Sequence, residues 1–140
     1  MSVILGILAL AVVPQATSNA PSSEAPAAVS MAEGEAVGVA RDWLALQDEG
    51  RWRESYNATG KAIRKLNSLE RWTQVAQKVR VPLGAMISRT PISDDRVPAP
   101  PAGVHVVKFR TSFANRADAV ETVSLAREDG AWKVVGVLIH

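Results

Sequence analysis

The chain has 140 residues, 47% of them hydrophobic and 21% charged, with 16 Lys+Arg against 14 Asp+Glu for a formal net charge of +2. It has no cysteine, which excludes a disulfide scaffold, a thiolate metal site, a cysteine nucleophile and a cysteine-anchored lipoprotein. The length suits one domain, the apolar content argues against low-complexity disorder, and two histidines leave little room for histidine-based metal or triad chemistry.

Residues 3 to 13 form an apolar run of 11 residues. That is too short to span a bilayer and the right length for a signal-peptide core. The small-x-small site Ala16-Thr17-Ser18 follows, so residues 1–18 are expected to be a signal peptide cleaved after Ser18. No Lys or Arg precedes the core, so either the amino group alone supplies the positive charge or the start lies upstream. An uncleaved tethering helix is the competing reading. Residues 19–30, of Ala, Pro and Ser with one acid, read as a flexible linker. Residues 31–140 are left as a single folded domain, periplasmic or secreted, with no stable membrane span after cleavage.

Within that domain helical periodicity comes first. Glu33 to about Asp48 carries Ala36, Ala40, Trp43 and Gln47 on one stripe, with Val37 and Leu44 beside it. Gly50 ends it. Trp52–Thr59 and Lys61–Asn67 read as short helices broken at Gly60. Ser68 is a natural N-cap for a helix over Leu69–Val79, whose apolar side holds Leu69, Trp72, Val75, Ala76 and Val79. Pro82 and Gly84 stop it.

The period then changes to two. Ala85–Thr90 reads as a strand and the proline-rich stretch 91–103 as a long loop. Val104–Ala114, Val120–Glu128 and Ala131–His140 follow as strands, with Asp129-Gly130 as a two-residue hairpin turn between the last two. Helices followed by four strands predict an α+β domain, with N-terminal helices packed on one face of a four-stranded antiparallel sheet.

The stretch from Ala40 to Gly50, then Ser55-Tyr56, Trp72, Arg80-Val81-Pro82-Leu83-Gly84-Ala85 and Ser88-Arg89, resembles a bacterial family of exported domains, the domain-of-unknown-function 4019 family. The resemblance continues through Thr111–Ala114, Glu121-Thr122-Val123 and Asp129–Gly136. It departs at Val137-Leu138, where the family has an aromatic pair, at Ser55-Tyr56, where it has Ser-Trp, and at Pro100–Gly103. The family brings no activity with it. Its helices-then-sheet order is similar to the cystatin-like and nuclear-transport-factor-like cone folds, a likeness at fold level that carries no function.

Glu121 is the leading candidate for chemistry. It alternates with Val123 and Leu125, so the three side chains share a strand face. The Asp129-Gly130 turn predicts Glu121 opposite Leu138, Val123 opposite Gly136 and Leu125 opposite Val134. Apolar neighbours make this the core face, where an ionised carboxylate needs a partner. If the preceding loop spans Asn115 to Asp118, Ser112 opposes Glu121 and Arg110 lies diagonal to it. If a bulge or a different loop length intervenes, Phe109 and Phe113 join the core and Arg110 faces out. The second register is preferred, because two phenylalanines gain more from burial than one arginine. Glu121 then needs Arg80 or Arg89. Each arginine reads first as a structural ion-pair partner and second as an anion-binding group.

Tyr56, the single tyrosine, would be a hydroxyl donor beside a carboxylate in a cone-shaped pocket, as in steroid isomerases. The ordinary alternative is a buried ring with its hydroxyl at the surface. Trp43, Trp72 and Trp132 read as core anchors, and Trp52, between Arg51 and Arg53, as a residue free to line a pocket. No Gly-x-Ser-x-Gly, Gly-rich phosphate loop or metal-ligand cluster occurs, so no catalytic residue, metal or cofactor is expected. Residues 51–96 hold ten of the bases against four acids. This suits an anionic partner or simply a solvated helix face. Nucleic acid fits poorly, since the basic residues lack an aromatic stacking set beyond Trp52 and Trp72. The expectation is a non-enzymatic envelope binding or accessory module with a protein or small-molecule partner. The alternative is a small-ligand-binding or enzymatic cone using Glu121, with Tyr56, Arg89 and Arg80 as further ligand-binding candidates.

Overall fold

The computed structural model describes residues 34–100 and 103–140. The expected signal peptide 1–18, its cleavage after Ser18 and the linker 19–30 lie outside the described residues. Among the described residues four α-helices precede four strands: α1 (Glu35–Asp48), α2 (Trp52–Asn57), α3 (Lys61–Leu66), α4 (Leu69–Arg80), then β1 (Met86–Val97), β2 (Val104–Phe113), β3 (Arg116–Glu128) and β4 (Ala131–Ile139). The strands form one antiparallel sheet in the order β1-β2-β3-β4. This is the expected α+β arrangement, with the helices N-terminal to the sheet.

α1 buries the stripe that its spacing foretells: Ala36, Val37, Ala40, Trp43, Leu44 and Gln47. It packs on Val107, Phe109, Val123, Leu125 and Val134 from the sheet. Trp43 meets its remaining polar need by donating its indole N–H to the Ser55 carbonyl at 3.0 Å. Ser55 also accepts the Trp72 indole N–H on its Oγ at 3.1 Å, so one buried serine ties α1, α2 and α4 together. Ser68 caps α4 by accepting the Arg71 N–H at 3.1 Å. A short 3₁₀ turn, Val81–Leu83, with proline in its first turn, ends that helix.

α4 departs from expectation. Of its apolar side only Ala76 is buried, while Val75 and Val79 are 46% and 42% exposed. The helix therefore lies partly off the sheet, and its apolar face is left open beside β4.

The proline-rich stretch also differs. β1 does not stop at Thr90 but runs on to Val97. Pro91 sits at a register shift between Pro91 and Ser93, on a strand at the sheet's edge. A proline there sacrifices no central ladder bond, which is why it failed to break the strand.

Two further bulges set the register around Glu121. Between Thr111 and Phe113 the β2–β3 ladder shifts, so Phe109 opposes Glu121 and the turn tightens to Ala114-Asn115. Phe109 and Phe113 are buried, and Arg110 faces out to Asp118 at 2.8 Å. This is the preferred register of the two. In the β3–β4 hairpin, Asp129 (φ 52) and Gly130 (φ 79) form the expected two-residue turn. Leu125 opposes Val134, as its spacing requires. Beyond that point Ser124 opposes Gly136, so Val135 is an extra residue and Glu121 faces Ile139 rather than Leu138. Val123 accordingly faces Val137 rather than Gly136. A two-residue turn fixes register only as far as the first bulge.

Candidate functional site

Glu121 is 1% exposed, on the core face of β3. The helices bring two arginines to it. Arg80, the last residue of α4, reaches Glu121 Oε2 with Nη1 at 2.5 Å and Asp48 Oδ1 with Nη2 at 2.6 Å. Arg89, on β1, reaches Glu121 Oε1 through Nε at 2.8 Å and Nη2 at 2.7 Å. It also holds Asp48, through Nη1 to Oδ2 at 2.7 Å and Nη2 to Oδ1 at 3.0 Å. Thr111 Oγ1 donates to Glu121 Oε1 at 2.6 Å. The Arg80 guanidinium also lies 5.3 Å from the Phe113 ring centroid.

Two arginines and two carboxylates give the cluster no net charge. Every charge in it is paired, as low-dielectric surroundings demand. Burial pushes the Arg89 guanidinium down, but its hydrogen bonds to Asp48 and the charges of Glu121 and Asp48 outweigh this and raise it above its ordinary value. The cluster joins the C-terminal ends of α1 and α4 to three strands. A cation at the end of α4 also suits that helix's dipole.

The four singled-out residues therefore divide. Glu121, Arg80 and Arg89 come together. Tyr56 stands elsewhere: its hydroxyl lies 2.7 Å from the Asn67 carbonyl and 3.3 Å from that of Arg64, and its ring packs 6.2 Å from Trp72. That hydroxyl stitches α2 to the end of α3. Two members of the cluster escaped the sequence reading. Thr111 had a signal, since it alternates with Phe109 and Phe113 in the preferred register. Asp48 had a weaker one, four residues after Leu44 and so on the edge of the buried stripe.

Two grooves flank the cluster, and Gln47 and Arg80 line both. One, of about 320 Å³, has a mixed polar and apolar lining that includes Asp48, Trp52 and Phe113. The other, of about 270 Å³, runs between α4 and the end of β4, lined by Trp72, Val75, Ala76, Val79, Val137 and Ile139 among others. Gln47 is 5% exposed, and its amide nitrogen has no hydrogen-bond partner among the described residues.

The basic middle of the sequence is partly spoken for. Arg51 pairs with Glu49 and Glu54, Lys61 with Asp129, and Arg80 and Arg89 belong to the cluster. His105 pairs with Asp94 at 2.9 Å and stands edge-on to Trp132 at 5.2 Å. Among the described residues no three His, Asp or Glu side chains are placed to hold a metal ion, and no helix is long and apolar enough to cross a membrane.

A family model described as a protein of unknown function (DUF4019) matches residues 39–137. No curated protein matches the chain.

Proposed function

This chain belongs to the DUF4019 family of proteins of unknown function, and on that premise we propose that it is an exported, non-enzymatic binding module of the cell envelope. The observation that carries the reading is the occupation of Glu121. Its two oxygens accept from Arg80, Arg89 and Thr111 while the residue is 1% exposed. A general base or nucleophile must reach the reacting atom, and this carboxylate, 1% exposed and held by three donor side chains, has no such reach. The enzymatic cone draws less support, because Tyr56, its supposed partner, is bonded to the backbone of another helix. The groove between α4 and β4 leaves apolar surface accessible beside the cluster, which suits binding.

Two measurements test this. Purified full-length protein, screened against chromogenic ester, phosphate and glycoside substrates, is expected to show no turnover above buffer. Turnover that disappears in Glu121→Gln would overturn the reading. Export rests on the apolar run 3–13 and the Ala16-Thr17-Ser18 site. N-terminal sequencing of the protein from the periplasm of a Gram-negative host is expected to begin at Asn19. Intact chain confined to the cytoplasm would remove the export half of the proposal.

A further inference from the structure

β4 is an edge strand, and its two halves are treated differently. The first half is sealed. Gly60 N–H donates to the Val134 carbonyl at 2.8 Å, and Val134 N–H donates to the Ala58 carbonyl at 3.0 Å. The second half is not. Val120 and His140 exchange both of their backbone hydrogen bonds, at 2.8 and 3.1 Å. In an antiparallel ladder bonded and non-bonded pairs alternate. With Glu121 opposite Ile139 and Val123 opposite Val137, the N–H and C=O groups of Val137 and Ile139 therefore point away from β3. Among the described residues nothing bonds to them. The bulge at Val135 brings this about, since it resets the alternation between Val134 and Val137.

These free backbone groups border the apolar groove under α4. Val75, Val79, Val137 and Leu138 are all more than 40% exposed there. The one charged side chain in its lining is Arg80, already paired with Asp48 and Glu121. The groove thus suits uncharged side chains.

We propose that the open half of β4 is a peptide-docking edge. An extended, uncharged apolar segment of a partner protein adds as a fifth strand beside Val137 and Ile139 and seats alternate side chains in the groove against Val75 and Val79. The proposal rests on the binding-module reading and names its partner class. Only an extended chain presents N–H and C=O groups at the spacing these residues require, whereas an acyl chain would fill the groove and leave them unpaired. A second copy pairing through its own β4 would offer a strand whose inner half is already bonded to its own residues 58–60, so its ladder would be shorter, and pairing through its β1, the sheet's other edge, is separated by the sedimentation measurement below.

The test selects binders from a displayed library of random ten-residue peptides on the full chain. The best peptide is then synthesised and measured by fluorescence anisotropy and amide hydrogen exchange. Alternating apolar residues are expected in the selected peptides, with new protection at the Val137 and Ile139 amides. Val137→Pro removes an outward N–H but no ladder bond, a substitution edge strands tolerate, and is expected to weaken binding about tenfold or more. Val79→Asp, on an exposed helix face, is expected to weaken it as well and serves as the control should the proline variant fold poorly. Selection of no peptide, or peptides that bind both variants as they bind the parent, overturns the proposal. Protection of the same amides that rises with protein concentration alone, with a dimer in sedimentation, assigns the edge to a second copy and also overturns it. Dodecanoate binding in the groove without any selected peptide overturns the peptide proposal while leaving the binding module intact. Substrate turnover would instead strike the binding reading itself.

Discussion

The Glu121 cluster and the groove beside β4 share Arg80 yet differ in charge, burial and hydrogen bonding. In the cluster four charges lie at 1% to 15% exposure, each bonded to another. In the groove aliphatic side chains lie open to solvent beside strand groups that bond nothing among the described residues. Polar side chains have thus been spent on holding helices to sheet, and apolar surface has been left uncovered. In a protein whose chemistry lay in its polar residues the opposite distribution would be expected: an unsatisfied carboxylate in a cleft and aliphatic groups inside. The contrast fits the proposed binding reading, in which Glu121 holds helices to sheet and interaction is sought at the groove.

The largest effect should come from breaking the cluster. Glu121→Gln leaves Arg80 and Arg89 facing an amide in a buried site, and we expect a loss of about 3–5 kcal/mol in urea unfolding. Pairing Glu121→Leu with Arg89→Met should cost less than the sum of the two single changes, because the buried charges leave together. Single changes costing under about 1 kcal/mol, of the order of one ordinary hydrogen bond, would mean that the cluster is wetter than its geometry implies and would reopen a catalytic role. The groove should respond in the other direction. Val75→Thr and Val79→Thr are expected to shift stability by no more than about 0.5 kcal/mol, as for surface positions. A drop several times larger would make the groove part of the core and erase the contrast.

The smallest effect belongs to the Lys61–Asp129 pair at the sealed end of β4, which is fully exposed and therefore calibrates surface charge against the cluster. Hydrogen bonding and charge from Lys61 hold the Asp129 carboxyl below its usual range, and Asp129 raises Lys61 in return. The Asp129 contribution is present above the ordinary carboxylate range and fades as pH falls through the lowered value. The Lys61 contribution is present below the ordinary lysine range and fades as pH rises through the raised one. Lys61→Met should therefore lower the urea midpoint slightly at neutral pH, and the difference should vanish in acid and in high salt. A difference that survived acid would assign it to the packing of the lysine stem rather than to charge.

Much of the architecture was legible because it depends on local spacing. The α1 stripe, the break at Gly60, the Ser68 cap and the Asp129-Gly130 turn each need only a few neighbouring residues, and all stand where the pattern puts them. The arginine partners of Glu121 followed from a longer argument about phenylalanine burial, and that too held. What failed did so at irregularities. Pro91 reads as a loop but sits in an edge strand, and the bulge at Val135 moved Glu121 from Leu138 to Ile139. Tyr56 looked like a site residue because it is unique, but uniqueness says nothing about where a hydroxyl points.

The sequence by itself therefore determined the order of helices and strands, the buried face of α1 and the need of Glu121 for a cation, because periodicity and the cost of buried charge act at the level of single residues. Only the tertiary structure decided that both arginines converge on that carboxylate, that Asp48 and Thr111 complete the cluster, and that α4 stands far enough off the sheet to leave a groove. Those outcomes depend on where helices dock and where one extra residue enters a strand, and a bulge shifts every later pair by a residue without leaving any mark in the pattern of side chains before it.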